Sequence, residues 1–391
     1  MGGSAMQSRE EDVIYLDHNA TTPLDPSVVK AVMPFLKGEF GNPSSPYSLG
    51  LRAKAAMDEA RKEMALLIGC ADHEITFTSG GTESNNAVLK GVVDFRNPKK
   101  FHIITSGVEH PAILNPALFL SELGVRVSVL PVDRFGRVDP DNVRKAITPD
   151  TTLISIMLAN NETGTLQPIE EISKIAKEHG IPVHTDAAQA VGKIPIDVNT
   201  LGVDFLSIAG HKLYAPKGVG ALYMKKGRSL TPLIHGAGQE GGKRAGTENV
   251  ILSVGLGAAS TVARKGLDHH ISTMRTLRDR LQELLLAGLK RSVLNGHPVE
   301  RLPNTLNLSV PGIAGSQILE GLPDLMASTG AACHDRSVKL SHVLSAMGVS
   351  EEVGMGALRL TTGRENTTDE IETAARMILE RVRALEKGTQ G

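Results

Sequence analysis

The sequence predicts an α/β fold in two parts: a large doubly wound domain with a mostly parallel seven-stranded sheet, then a smaller α+β domain. Three observations lead there. Short β-branched runs alternate with helical stretches through the first half of the chain, as βαβ units require. Several of those runs are continuously apolar, the pattern of a parallel sheet buried on both faces. Beyond about Thr247 the alternation gives way to one long helical stretch and a few isolated strands.

Taken in order, residues 74–78 read as a strand ending in the turn Ser79-Gly80-Gly81, with a helix over 82–93. Further strands are expected at 101–105, 126–130, 152–157, 181–185, 205–208 and 220–224, with helices over 141–146 and 169–179 among them. Residues 249–289 carry long helical periodicity. A strand at 304–310, a helix at 314–320, a strand at 357–361 and an amphipathic helix at 369–385 complete the smaller region, with Thr367 or Thr368 as N-cap. The expected division is 13–260 for the large domain and 261–391 for the small one. About the first fifteen residues after 13 are expected to pack on the small domain.

Composition removes several functional classes. The chain has 391 residues, 41% hydrophobic and 22% charged, which is globular rather than disordered composition. With 42 basic against 43 acidic residues, it lacks the general charge footprint of a nucleic-acid binder. Trp is absent and aromatic residues are 3%, so no stacking platform for bases is evident. Two cysteines neither staple a fold this size nor close a structural zinc site, and no metal is expected. The opening Met-Gly-Gly-Ser-Ala-Met reads as a cloning scar. No uninterrupted apolar run reaches bilayer-spanning length, so a soluble, cytoplasmic protein without membrane contact is expected.

Four segments carry chemistry. Ser207-Ile208-Ala209-Gly210-His211-Lys212 puts a lysine at a strand end, where α/β sheets place ligands. Such an amine forms a Schiff base when burial or nearby cations keep it deprotonated; most lysines, taken alone, are simply solvated. Asp186, closing the apolar run before it, suits either a protonated pyridine nitrogen or the N-cap of a following helix. Ser79-Gly80-Gly81-Thr82-Glu83 joins a strand to a helix and offers free N–H groups to a phosphate; it lacks the Lys-Ser/Thr of a nucleotide P-loop. Cys333 follows Gly330-Ala331-Ala332, a small-residue loop that lets a thiol act as an exposed nucleophile. Cys70 reads as an ordinary structural cysteine.

The order of these features, with His110 and Asn161 between them, is more specific than any one alone. It resembles the fold-type I pyridoxal-phosphate enzymes of the aminotransferase class V group, and within them the cysteine desulfurases and selenocysteine lyases. The resemblance rests on Tyr15-Leu16-Asp17-His18-Asn19-Ala20-Thr21-Thr22, Gly41-Asn42-Pro43-Ser44-Ser45, Phe77 to Asn86, Asn160-Asn161-Glu162-Thr163-Gly164, His184 to Gln189, Gly210-His211-Lys212 and Arg244 to Asn249. It runs from about residue 13 to 385.

The resemblance implies pyridoxal 5'-phosphate on Lys212, with Asp186 at the ring nitrogen and Gln189 at the phenolate oxygen. It implies His110 stacked on the ring as an acid/base, and Gly81, Thr82 and His211 at the phosphate. Asn161 and Arg359 are expected at the substrate carboxylate, where the guanidinium fork suits an anion. Thr247 is expected to reach the phosphate of a second subunit's site, making the enzyme a homodimer. The implied reaction converts L-cysteine to L-alanine, with sulfur passing to Cys333 as a persulfide and on to an acceptor protein. The acceptor's pathway, iron–sulfur cluster assembly among others, stays open. The alternative is a selenocysteine lyase acting on L-selenocysteine. His334 leans towards that branch, whereas Pro111 after His110 favours cysteine. Two further departures from the family pattern stand out: Ala209 in place of a phosphate-binding serine, and Gly241 in place of an arginine.

Overall fold

The computed structural model describes residues 13–329, 331–334 and 337–388. Seven strands form the main sheet: β1 (Ile75–Thr78), β2 (His102–Ser106), β3 (Arg126–Leu130), β4 (Thr151–Ser155), β5 (Val183–Asp186), β6 (Phe205–Ala209) and β7 (Gly220–Met224). Their spatial order is β1-β7-β6-β5-β4-β2-β3. All neighbours run parallel except β7, which is antiparallel to both β1 and β6. Strands β1, β2, β5, β6 and β7 are buried at every residue, as in a sheet covered on both faces, and their polar residues, such as Thr105, His184 and Ser207, are buried with the rest.

Helices α1 (Pro26–Lys37), α2 (Ser48–Ile68), α3 (Gly81–Gly91), α4 (Pro111–Glu122), α5 (Pro140–Ala146) and α6 (Ile169–Glu178) belong to this layer. Helix starts follow local chemistry. Asp25 accepts from the Ser27 N–H ahead of α1, with Pro26 in the first turn. His110 caps α4 through Nδ1, which accepts from the Ala112 N–H at 3.1 Å, and Pro111 opens the helix.

The second region is a four-stranded antiparallel sheet. Its strands are β8 (Val293–Asn295), β9 (Thr305–Ser309), β10 (Ser328–Thr329) and β11 (Ala357–Thr361), in the order β10-β11-β9-β8. Helix α8 (Thr368–Gly388) lies on it, contributing Ile371, Ala375, Ile378 and Val382 to one core with Leu306, Leu308, Leu358 and Leu360. Ile14 and Leu16 belong to the same core, and Ile14–Tyr15 pairs in parallel with Leu325–Met326. The first described residues therefore pack in the small core, ahead in sequence of the strands of the large sheet.

One helix, α7 (Val250–Gly288), serves both cores. Leu256, Ala259 and Ala263 pack in the large core, Leu277, Leu281 and Leu285 in the small one. The boundary expected at 260/261 falls inside this continuous 39-residue helix. By length and composition α7 could cross a membrane, but these six side chains are buried in protein.

Candidate active site

The sheet's C-terminal edge opens on a cavity of about 410 Å³. Gly81, Thr82, His110, Asn161, Asp186, Gln189, His211, Lys212 and Arg359 all line it. They come from the starts of α3 and α4, the turn after β4, the ends of β5 and β6, and β11 of the small sheet. Thr247 does not. It is exposed and lines a separate cavity of about 280 Å³ with Ser79, Arg244 and Glu248. Cys333 lies on the short strand Ala331–His334, in register with Val338; its side chain is outside the described residues.

Lys212 ends a short 3-10 turn after β6. Its Nζ donates to the main-chain oxygens of Asn19 and Ala20, the latter at 2.6 Å. Burial lowers its pKa from 10.5 to about 8, helped by the like charge of Arg359. The turn is tied down on both sides: the Thr22 N–H donates to the His211 carbonyl at 3.0 Å, and Tyr214 sits at φ +60°, a costly conformation for a bulky residue. Tyr214 is held there by Arg364, whose guanidinium lies 3.7 Å from the ring centroid and 2.7 Å from Asp25.

Asp186 is 6% exposed. Its Oδ2 accepts from Asn85 Nδ2 at 2.6 Å and its Oδ1 from the Ala188 N–H at 2.9 Å. No helix follows it, so the N-cap reading of Asp186 is replaced by a tight Asx-type turn. His110 faces the cavity, and desolvation lowers its pKa, with Asp186 opposing and Lys212 assisting. His211 is lowered to about 4 by burial and by Lys212.

Arg359 carries the expected anionic partner, but within the chain. Nη2 donates to Asp17 Oδ1 at 2.8 Å and Ser328 Oγ at 3.0 Å, and Nη1 to the Asn161 carbonyl at 3.3 Å. Its Nε is buried without a partner among the described residues, and three of the five guanidinium N–H donors are used.

Donor chemistry in this cavity fits pyridoxal phosphate. Gly80 has no side chain to cap α3, and the Gly81 and Thr82 N–H groups make no hydrogen bond among the described residues. An α-helix start in that state attracts phosphate. A Cβ on Gly81 would come within 3.4 Å of the Ala209 Cβ, so the floor of this cup is tight. A desolvated amine and a fixed carboxylate complete the set.

Sequence reasoning missed Asn19, Asp17, Asn85 and Lys193. Asn19 and Asp17 stand within the quoted N-terminal motif and Asn85 within the α3 motif, but nothing local to them signals a role. Lys193 is a lysine buried to 4% exposure, and residue type alone argues for solvent. At the two departures, Ala209 lines the cavity without a hydroxyl, and Gly241 sits at φ +63° in open space. Arg244 pairs with Glu83 at 2.9 Å. Cys70 is partly buried, which pushes its thiol up to about 12, with Glu74 and Asp72 adding to the shift.

Comparison with known proteins extends over nearly the whole chain. The aminotransferase class-V profile matches residues 14–373. A cysteine desulfurase IscS of Methanosarcina thermophila is 47% identical over 380 residues, 97% of this chain and 94% of its own. The IscS cysteine desulfurase of Dictyoglomus turgidum is 50% identical over 360 residues, covering 92% and 91%. A solved NifS-like protein superposes with a TM-score of 0.89 at 38% identity, over 95% of this chain and 99% of that one. Profile, relatives and cavity agree: the chain belongs to the cysteine desulfurases of the aminotransferase class-V family.

Proposed function

We infer that this chain is a pyridoxal-phosphate-dependent cysteine desulfurase, converting L-cysteine to L-alanine with transfer of sulfur to Cys333 and on to an acceptor protein. The supporting observation is the convergence of a desolvated strand-end lysine, a twice-bonded buried aspartate and a guanidinium fork on one cavity. Relatives at 43–50% identity are named for cysteine desulfuration, which favours this reading over selenocysteine lyase.

Bound pyridoxal phosphate supplies an electron sink that loosens bonds around the substrate's α-carbon. The chain's residues do the rest. The Gly81 and Thr82 N–H groups, with His211, receive the phosphate. Asp186 offers a fixed counter-charge to a protonated ring nitrogen, and Gln189 a hydrogen bond to the ring oxygen. Arg359 and Asn161 take the substrate carboxylate, with Asp17 keeping the guanidinium aimed. Lys212, near pKa 8, gives and takes a proton at Nζ around neutral pH. His110, its pKa lowered and its Nδ1 engaged by the Ala112 N–H, carries its proton on Nε2 when neutral and is available there as a proton donor. The sulfur step balances without an external oxidant: Cys333–SH and R–SH give Cys333–S–SH and R–H. Its Sγ–S bond forms as the substrate C–S bond breaks, and the carbon takes the proton.

Thr247 points this reading beyond one chain. Exposed and outside the cavity, it would serve the phosphate of a second copy, so the working unit is a homodimer in the cytoplasm. The test is turnover on L-cysteine and on L-selenocysteine, detecting alanine, for wild type and Cys333→Ala. Alanine from cysteine, abolished in the variant, supports the reading. Turnover confined to selenocysteine, or untouched by loss of Cys333, refutes it.

A further inference from the structure

Lys193 lies behind the cavity, 4% exposed, with no carboxylate partner among the described residues. The charged and titratable groups around it are Lys212, Arg359, His18 and His211, with Asp17 and Asp186 beyond Lys212. A cationic side chain buried beside two like charges costs stability, and an apolar side chain of the same volume would avoid that cost. What the amine supplies is N–H donors. Charged or neutral, it has at least two, and both are used. Nζ donates to Asn19 Oδ1 at 2.9 Å and to Gln189 Oε1 at 2.8 Å.

Each of those amides thereby has its oxygen turned to Lys193 and its NH2 turned elsewhere. Gln189 Nε2 donates to the Asn19 carbonyl at 2.9 Å, and Gln189 lines the cavity. Asn19 Nδ2 donates to Thr305 Oγ1 at 2.9 Å and to the Asn161 carbonyl at 3.2 Å. The Asn19 carbonyl also receives Lys212 Nζ. A flip of Gln189 would set its oxygen against that carbonyl and turn a lone pair, instead of an N–H, to the cavity.

We propose that Lys193 is a positioning residue: by donating to Asn19 and Gln189 together, it fixes which face of Gln189 meets the cofactor oxygen and where the Asn19 carbonyl holds Lys212. This rests on the cysteine desulfurase reading. Lys193 is the group that holds both amides, with Asn304 Nδ2 as a second donor to Asn19 Oδ1 at 3.1 Å.

The test replaces Lys193 in the cofactor-loaded enzyme. Lys193→Met removes both donors at nearly constant volume. Lys193→Gln keeps a polar head that no longer imposes an orientation, and serves if the Met variant fails to fold. Two quantities are read: the pH midpoint of the cofactor's visible absorbance, and the dissociation constant of pyridoxal phosphate from the apoprotein. Losing the N–H towards the ring oxygen leaves the phenolate less stabilised, so it keeps its proton to higher pH. The midpoint moves up by about one pH unit and cofactor affinity falls about tenfold. In a Gln189→Leu background, replacing Lys193 moves the midpoint no further. A purely structural role would lower the melting temperature and leave the spectrum in place. An unchanged spectrum in both variants overturns the inference, as does a full-size shift that persists without Gln189. Wild type that is yellow and forms alanine while these results fail refutes the positioning role alone. Wild type that shows neither refutes the desulfurase reading, and this inference with it.

Discussion

Lys212 makes the cofactor-free protein's stability depend on pH in a way opposite to most surface lysines. Its amine is held at about 8 in the folded chain against 10.5 for the free side chain, first because burial strips its water. The folded state thus releases its proton earlier than the unfolded state. Between pH 8 and 10.5 the unfolded chain holds more protons, so stability rises with pH across that window and is lowest below pH 8, where both states are charged. The full cost is about 3 kcal/mol, of which about 2.5 kcal/mol is recovered between pH 7 and pH 10. Lys212→Met removes this contribution, and the ionisations that do not feel Lys212 cancel between the two proteins. The variant leaves the Ala20 carbonyl without its Lys212 donor and the Asn19 carbonyl with Gln189 Nε2 alone, an offset that does not vary with pH. Urea unfolding of both apoproteins at pH 7, 8, 9 and 10 should show wild type gaining about 2 to 3 kcal/mol on the variant as pH rises. A difference that stays flat, or runs the other way, would refute a desolvated Lys212.

Three further outcomes follow from single contacts. Asn85→Leu removes the 2.6 Å bond to Asp186; a charge-assisted bond of that kind is worth roughly 1.5–3 kcal/mol, so fluorescence titration should find cofactor binding weakened by at least about tenfold. Arg359→Lys keeps the charge and loses the fork that spans Asp17, Ser328 and Asn161; steady-state kinetics should show KM for L-cysteine rising roughly 10- to 100-fold, with kcat less affected. Gly220→Ala places a Cβ 2.4 Å from the Ile208 carbonyl oxygen and 2.6 Å from the Gly80 Cα; thermal unfolding should report a loss of roughly 1–3 kcal/mol or more, with the phosphate cup displaced.

Much of this was legible in the sequence because burial writes itself into composition. Strand β11 occupies 357–361 as expected, and 126–130 and 220–224 likewise match β3 and β7. The expected 152–157 and 181–185 are displaced from β4 and β5. There the apolar runs continue into turns: the Ile181 N–H closes on the Ala176 carbonyl after α6 rather than joining the sheet. The antiparallel direction of β7 has no local signature, as direction is a property of the connection. Lys212, Asp186 and Gly81 announce themselves through position at strand and helix ends. Asp17 and Lys193 do not, because each acts on a partner far along the chain: Asp17 meets Arg359 across 342 positions, and Lys193 meets Asn19 across 174. Those two hydrogen bonds are long-range, and no short window of sequence contains them.

Helix α7 adds a constraint of phase. Its early turns are seated in one core and its late turns in the other, with no break between them. Each residue of an α-helix advances the chain about 1.5 Å and turns it about 100°. A single residue inserted or deleted near the middle would therefore rotate everything beyond it by that angle. Arg359 lies beyond that helix in the chain, on β11, and would be carried away with it. The length of α7 is thus a gear ratio between the sheet that carries Lys212 and the sheet that carries Arg359. Change in this protein is expected to respect that ratio: loops can lengthen and surfaces can drift, while the residue count between the two cores stays fixed.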